Sequence, residues 1–216
     1  MFYLYTRKPI KIHNMGTRNL TMVVHKFETK VAQYGQWDGY PSGNGLKVLD
    51  FLRKHKMITF KEKLSNVRFV TDEDRKEIDN YLKSIGSKDG WINMDQARKY
   101  HERYPYLSRD IGADILDMIY NYAGDEKMMI NDETKFASDS LFCEWAYLIN
   151  LDTNELEVYE GFNKRKLGKT QRFKYLEEKM DEDSNGYFPI RCVKKYDINE
   201  LPTNEQFLKD LKQKEE

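Results

Sequence analysis

Side chains that could bind a polar molecule are concentrated in and just after the first predicted β-hairpin. Two runs rich in β-forming residues, 18–26 and 29–36, are separated by only Phe27 and Glu28, which predicts a tight hairpin. Polar side chains alternate with apolar ones near one sheet edge, and a charge pair, several amides and an aromatic wall are typical of sites for polar small molecules. The predicted ligand-binding set is Arg18, Asn19, Gln33, Gln36, Asp38, Arg109 and Glu144.

The segment GTRNL (16–20) also has a purely structural interpretation. It can be the start of a strand, in which Gly16 forms a bend, Thr17 favours extended backbone and Arg18 pairs with a surface acid. The two interpretations differ in whether these polar groups face a ligand or only other parts of the chain.

Arg109 and Glu144 each allow two interpretations. Arg109 lies at a predicted helix start beside Asp110, where it could clamp an anionic group with two hydrogen bonds or bond a loop carbonyl. Glu144 lies between Cys143 and Trp145 on a predicted strand and faces away from both, either into a pocket or into water.

The loop DGYPSGNG (38–45) precedes a helix that is predicted to start near Asn44. Glycines allow backbone N–H groups to turn inward, and a helix N-terminus attracts anions, so Gly43, Asn44 and Gly45 are a candidate anion-binding loop. Turn geometry alone also explains the glycines. The loop is not a P-loop, because the Gly-Lys-Ser/Thr ending is missing.

Four segments together resemble a family of uncharacterised proteins found in bacteriophages, bacteria and fungi. The resemblance covers residues 15–161, and members of that family tend to begin at the equivalent of Met15. It implies a phage or phage-like gene, and hence the host cytoplasm, but no established activity. The segments are GTRNL (16–20), AQYGQWDGYPSGNG (32–45), LSRDIGADIL (107–116) and FCEWAYLINLD (142–152).

A Gly-Thr step that opens a strand before a hairpin also resembles the start of N-terminal nucleophile hydrolases. In proteasome-type members, cleavage after Gly frees a threonine whose hydroxyl attacks an amide while its α-amine acts as base. The resemblance implies cleavage after Gly16 and a catalytic Thr17. Supporting roles would fall to Lys30 or Lys47, which could tune the amine, and to the amides of Asn19 or Gln36, which could hold the oxyanion.

Composition argues against nucleic acid and membranes as partners. The chain has 36 Lys plus Arg and 36 Asp plus Glu, whereas proteins that bind phosphate backbones usually carry a basic excess. No apolar run approaches the ~20 residues needed to span a bilayer. The N-terminal segment MFYLYTRKPIKIHN is too short and too often charged for a signal peptide.

The sequence predicts no cofactor and no metal site. The four histidines lack HxxH or HExxH spacing, and no cysteine pair complements them. Cys143 and Cys192 lie in apolar strand-like settings and are expected to be small buried thiols, which favours a cytoplasmic location.

We expect an N-terminal extension, 1–14, followed by a single α+β domain, 15–216. Hairpins near both ends with helices between them predict an antiparallel sheet closed by two distant chain segments, possibly a layered sandwich like that of N-terminal nucleophile hydrolases. The basic stretch 163–172 is expected to be a solvated loop.

The leading functional hypothesis is a phage-type accessory protein, acting in host takeover or counter-defence. It would bind a polar or anionic small molecule, or a host protein, near the first hairpin. The alternative is an amide hydrolase that uses Thr17.

Overall fold

A five-stranded β-sheet organises the fold. The computed structural model describes residues 16–87, 91–179 and 186–211, so the predicted extension 1–14 lies outside the described residues. The strands are β1 (Asn19–His25), β2 (Glu28–Gly35), β3 (Val67–Phe69), β4 (Met128–Ile130), β5 (Trp145–Asn150), β6 (Glu155–Glu160) and β7 (Arg191–Asp197). The helices are α1 (Leu46–Lys54), α2 (Met57–Lys63), α3 (Asp72–Ser84), α4 (Met94–Arg103), α5 (Ile115–Asn121) and α6 (Asn204–Asp210). The predicted α+β class is confirmed.

The large sheet has the strand order β2-β1-β5-β6-β7, and β3 and β4 pair in a separate two-stranded sheet. Both predicted hairpins are present, but β1 and β5 join them as a parallel pair, so the sheet is mostly rather than wholly antiparallel. The reason is that the chain leaves β2 and enters β5 at the same end of the sheet, where β1 also begins. A strand that enters there must run antiparallel to β2 and parallel to β1.

The turn of the first hairpin lacks the Asn-Gly sequence that usually favours such turns. Lys26 and Phe27 nevertheless have φ values of 56° and 59°. Their N–H groups donate to the two carboxylate oxygens of Asp152, each at 2.7 Å. The second hairpin therefore stabilises the turn of the first.

Apolar side chains cover both faces of the large sheet. On the first face, odd-numbered residues of β1 and β5 such as Val23 and Tyr147 pack against α1, α2, α5 and α6. On the second face, even-numbered residues of the same strands such as Met22 and Leu148 pack against two 3₁₀ segments, Thr134–Ser138 and Arg172–Lys179. A sandwich needs two sheets packed face to face. The described residues cover this sheet mainly with helices and 3₁₀ turns, so that more specific expectation is not supported.

Local signals predict two helix starts correctly. Thr71 and Asp74 form a capping box at the start of α3, and Asn93 and Gln96 form another at the start of α4.

The helix start predicted at Arg109 is wrong. The hydroxyl of Ser108 accepts the N–H of Asp110, at 3.3 Å, but the α-helix begins at Ile115. Gly112 has a φ of 53°, which interrupts the helical path before that point.

No helix in the described ranges combines the length and apolar character needed to cross a membrane.

Candidate functional site

Arg18 and Glu144 meet at the end of the sheet where β1 and β5 begin. The N–H of Arg18 donates to Oε1 of Glu144 at 3.4 Å, and the N–H of Glu144 donates to the carbonyl of Arg18 at 3.2 Å. The Arg18 guanidinium lies over the ring of Phe142, with its carbon 4.5 Å from the ring centre, as in a cation–π contact. Partial burial raises the pKa of Glu144, although the N–H and the positive charge of Arg18 oppose that shift.

Arg109 joins this end of the sheet through Gln36. The side-chain carbonyl of Gln36 accepts hydrogen bonds from the Arg109 guanidinium and from the hydroxyl of Tyr34, the latter at 2.6 Å. The N–H of Gln36 donates to the carbonyl of Arg109 at 3.1 Å. Two predicted residues that are 73 positions apart are thus in direct contact.

Tyr34 is a polar residue of this site that the predicted ligand-binding set lacks. Burial raises the pKa of Tyr34, while the positive charges of Arg18 and Arg109 act in the opposite direction. The Tyr34 hydroxyl and the Arg109 guanidinium share one acceptor, the side-chain carbonyl of Gln36. The alternation of the strand was the available signal, because Tyr34 and Gln36 lie two positions apart and point to the same face.

Two exposed aromatic rings border these groups. Trp37 is 47% exposed, and its indole N–H donates to Asp110 at 3.0 Å. Phe142 is 45% exposed beneath Arg18. The set that we call the arginine site consists of Arg18, Tyr34, Gln36, Trp37, Arg109, Phe142 and Glu144.

Neither Arg18 nor Arg109 has an ion pair with a carboxylate among the described residues. Within this part of the chain, the two guanidinium groups contact uncharged groups: the Gln36 amide for Arg109 and the Phe142 ring for Arg18. Guanidinium groups bind carboxylates and phosphates through paired N–H donors. This arrangement is therefore able to bind an anion.

Asn19 and Gln33 belong to the other face of the sheet and are buried there. The Asn19 amide donates to the carbonyls of Gly35 at 3.2 Å and Trp37 at 3.1 Å. The Gln33 amide donates to the carbonyls of Tyr34 at 2.9 Å and Ser108 at 3.2 Å. These two predicted residues therefore hold the loops that carry the site, and they are not directed toward its arginines.

The predicted anion-binding loop uses its N–H groups within the chain. Gly43 and Gly45 donate to the carbonyl of Tyr40 at 2.9 and 3.3 Å, and Asn44 donates to the carbonyl of Asp38 at 2.7 Å. These three N–H groups are not directed toward a ligand. The predicted anion-binding role of this loop is thus not supported.

The side chain of Asn44 is buried and joins two loops. Its amide nitrogen donates to the carbonyls of Trp37 and Asp38 at 2.9 and 3.0 Å, and its oxygen accepts the N–H of Ala113 at 2.9 Å. The exposed Asp38 has a φ of 53°, so its backbone shapes the loop while its carboxylate faces solvent.

Thr17 lacks the surroundings of a nucleophile. It is 2% exposed, and its hydroxyl has no hydrogen-bond partner among the described residues. Lys30 pairs with Glu28 near the far end of the first hairpin, and Lys47 pairs with Asp114 at 2.9 Å.

The amides that the hydrolase hypothesis assigned to the oxyanion are also engaged elsewhere. The Asn19 amide holds two loop carbonyls, and the Gln36 carbonyl accepts from Arg109. The geometry around Thr17 therefore gives no support to the hydrolase alternative.

The described residues contain no group of three or more His, Cys, Asp or Glu side chains that could hold a metal ion. Comparisons with protein-family models, with curated proteins and with solved structures found no match to this chain.

Proposed function

We propose that this protein binds a small anionic molecule through Arg18 and Arg109. The observation that carries the proposal is that neither guanidinium group has an ion pair among the described residues, although Arg109 shares the Gln36 side-chain carbonyl with the Tyr34 hydroxyl and Arg18 lies over the half-exposed Phe142 ring. A carboxylate or phosphate group of the ligand would supply the missing negative charge.

The surrounding groups favour a ligand that also has a flat apolar part. Trp37 and Phe142 expose about half of their surfaces beside the arginines. Aromatic walls with a few fixed polar groups are typical of sites for small molecules. The Tyr34 hydroxyl, held by Gln36, offers a further polar contact.

Isothermal titration with phenyl phosphate tests this proposal. We expect Arg18→Gln and Arg109→Gln each to weaken binding about tenfold or more, because each removes a charge-assisted hydrogen-bond donor worth about 1.5–3 kcal/mol. Arg98→Gln is the matched control, since Arg98 is exposed on α4, away from the site.

Binding of phenyl phosphate that is equally strong in all three variants would contradict the proposal. Capture of a host protein by the wild type, lost in the two site variants, would instead favour a macromolecular partner. The role of an accessory protein in a phage-infected cell stays a prediction from the resemblance of the sequence.

A further inference from the structure

A second candidate site lies on the second face of the sheet, away from the arginine site. A cleft of about 820 Å³ opens between β7 and the 3₁₀ segment Arg172–Lys179. Its lining includes Glu157 and Tyr159 on β6, Gln171 and Arg172, and Cys192 and Lys195 on β7. None of these residues belongs to the set predicted from the sequence.

A buried carboxylate fixes the guanidinium in this cleft. Glu157 is 2% exposed, and its two oxygens accept from Nε and Nη2 of Arg172 at 3.0 and 2.7 Å. Glu157 also accepts from the Tyr159 hydroxyl and from the Asn150 amide, the latter at 3.2 Å. Burial alone would raise the pKa of Glu157, but the hydrogen bonds from Arg172 and Tyr159 outweigh it and lower the pKa to about 2.

A second cation lies beside this carboxylate. Lys195 lies 3.5 Å from Oε1 of Glu157 as a second cation, although it also pairs with Glu155 at 2.9 Å. In the adjoining loop, Arg165 and Lys169 are exposed and have no ion pair among the described residues. Lys169 precedes Thr170, which lines the cleft, so the loop brings a positive charge next to the lining.

Arg172 still has donors to offer. Its Nε and Nη2 are used by Glu157, while Nη1 has no hydrogen bond among the described residues, and the side chain is 30% exposed. A guanidinium that is oriented by a buried carboxylate loses little conformational freedom when it binds an anion, which favours affinity.

Arg172 also borders a smaller cavity of about 230 Å³ on the side toward β1, where apolar and aromatic side chains are joined by Thr29 and Thr134. This volume is close to that of an alkyl chain of about eight methylene groups, which occupy roughly 27 Å³ each when packed as in a protein interior. The exposed rings at its mouth are Phe27, 93% exposed at the tip of the first hairpin, and Tyr175, 48% exposed. The apolar lining consists of Met22, Val24, Phe27, Leu148, Phe173 and Tyr175.

We propose that this cleft is a second ligand site, which takes a free amphipathic monoanion. The carboxylate or phosphate head contacts Nη1 of Arg172 on the polar side, and the apolar tail occupies the smaller cavity beneath Phe27. This site is separate from the arginine site, and the proposal does not depend on the function proposed for that site.

Titration with octanoate tests the proposal, with acetate as the head-only probe and octanol as the tail-only probe. We expect octanoate to bind at least tenfold more tightly than either. Arg172→Lys keeps a positive charge opposite Glu157 but loses the planar guanidinium with its paired N–H donors. It should weaken octanoate binding at least fivefold. Arg98→Gln, at an exposed position on α4 outside both sites, should leave octanoate binding unchanged. Loss of octanoate binding in Arg172→Lys with phenyl phosphate binding retained separates this site from the arginine site.

Phe27→Asn provides a test that does not disturb the core, because Phe27 is 93% exposed and Asn tolerates its positive φ. It should weaken octanoate binding about threefold or more, whereas Lys26→Asn, in the same turn but outside the cavity lining, should not. Equal binding by these two variants, or octanoate binding no tighter than octanol binding, would overturn the proposal.

The two cysteines give an independent measure of where the ligand lies. Cys192 is only half-buried and lines the cleft, contrary to the prediction of a buried thiol, while Cys143 is fully buried. Saturating octanoate should slow modification of Cys192 by N-ethylmaleimide several-fold, with Cys143 as the unreactive internal control. An unchanged rate of Cys192 modification would overturn the proposal. The proposal would also fail if the protein sedimented with phosphatidylglycerol vesicles and octanoate did not release it.

Discussion

Arg18 and Glu144 exchange main-chain and side-chain hydrogen bonds across the start of β1 and β5, at 3.4 and 3.2 Å. This pair joins two segments that are 126 residues apart and leaves the Arg18 guanidinium over Phe142 instead of in an ion pair. A fixed backbone beneath a guanidinium that has no ion pair among the described residues is the arrangement on which the proposed anion site depends.

Asn44→Ala should destabilise the fold by about 2–4 kcal/mol. The change removes three side-chain hydrogen bonds and leaves the carbonyls of Trp37 and Asp38 and the N–H of Ala113 without these partners. Urea unfolding measures the loss, with Asn121→Ala as the control at an exposed position. A loss equal to that of the control would show that the loop is held by other contacts.

Asp152→Ala should destabilise the first hairpin by about 1–2 kcal/mol, because it removes the acceptor of two turn N–H groups. The paired change Lys26→Asn and Phe27→Gly installs the sequence that favours positive φ at both turn positions. In that background, Asp152→Ala should lower the free energy of unfolding by clearly less. A double-mutant cycle by thermal unfolding checks this, and strict additivity would contradict it.

The free energy of unfolding should fall as the pH is lowered from about 5 toward 2. Glu157 has a folded pKa of about 2, below its ordinary value of 4.5, so its contribution is fully present above the unfolded pKa and is lost as the pH approaches the folded pKa. Glu157→Gln should lose about 3 kcal/mol at neutral pH, because Arg172 then lacks its buried counter-charge. The variant should also show a smaller slope between pH 5 and 2.

Parallel slopes for the wild type and Glu157→Gln would mean that other carboxylates dominate the acid response. Glu178→Gln serves as the matched control, since Glu178 is exposed on the same 3₁₀ segment as Arg172.

The wild type and Thr17→Ala should both stay uncleaved and should bind phenyl phosphate equally. The hydroxyl of Thr17 is buried, and Lys30 and Lys47 are engaged with Glu28 and Asp114. Intact mass spectrometry after long incubation checks this. A fragment that begins at Thr17 in the wild type, and is absent from the variant, would restore the hydrolase hypothesis.

Local signals in the sequence account for the elements of the fold better than for their arrangement. The capping boxes at Thr71 and Asn93 lie within four residues, so they can be recognised without tertiary structure. The delayed start of α5 depends on Gly112, where an added Cβ would lie 2.9 Å from Oδ1 of Asn44. That contact joins residues 68 positions apart, and no local pattern predicts it.

Local sequence patterns likewise account for only part of the two sites. Alternation along a strand separates Arg18 and Gln36 from Asn19 and Gln33, so the period of two could have assigned the pairs to opposite faces. The meeting of Glu157 with Arg172 and Lys195 depends on the β6–β7 pairing and on the 3₁₀ segment above it. That arrangement follows from tertiary packing, which spacing in the sequence does not specify.

The most direct measurement for the central claim is native mass spectrometry of the chain purified from cell extract, compared with the double variant Arg18→Gln, Arg109→Gln. The account predicts that the wild type carries a small anionic adduct, released on denaturation, and that the double variant lacks it. A bare wild-type chain, or an adduct retained equally by both proteins, would contradict anion binding at Arg18 and Arg109.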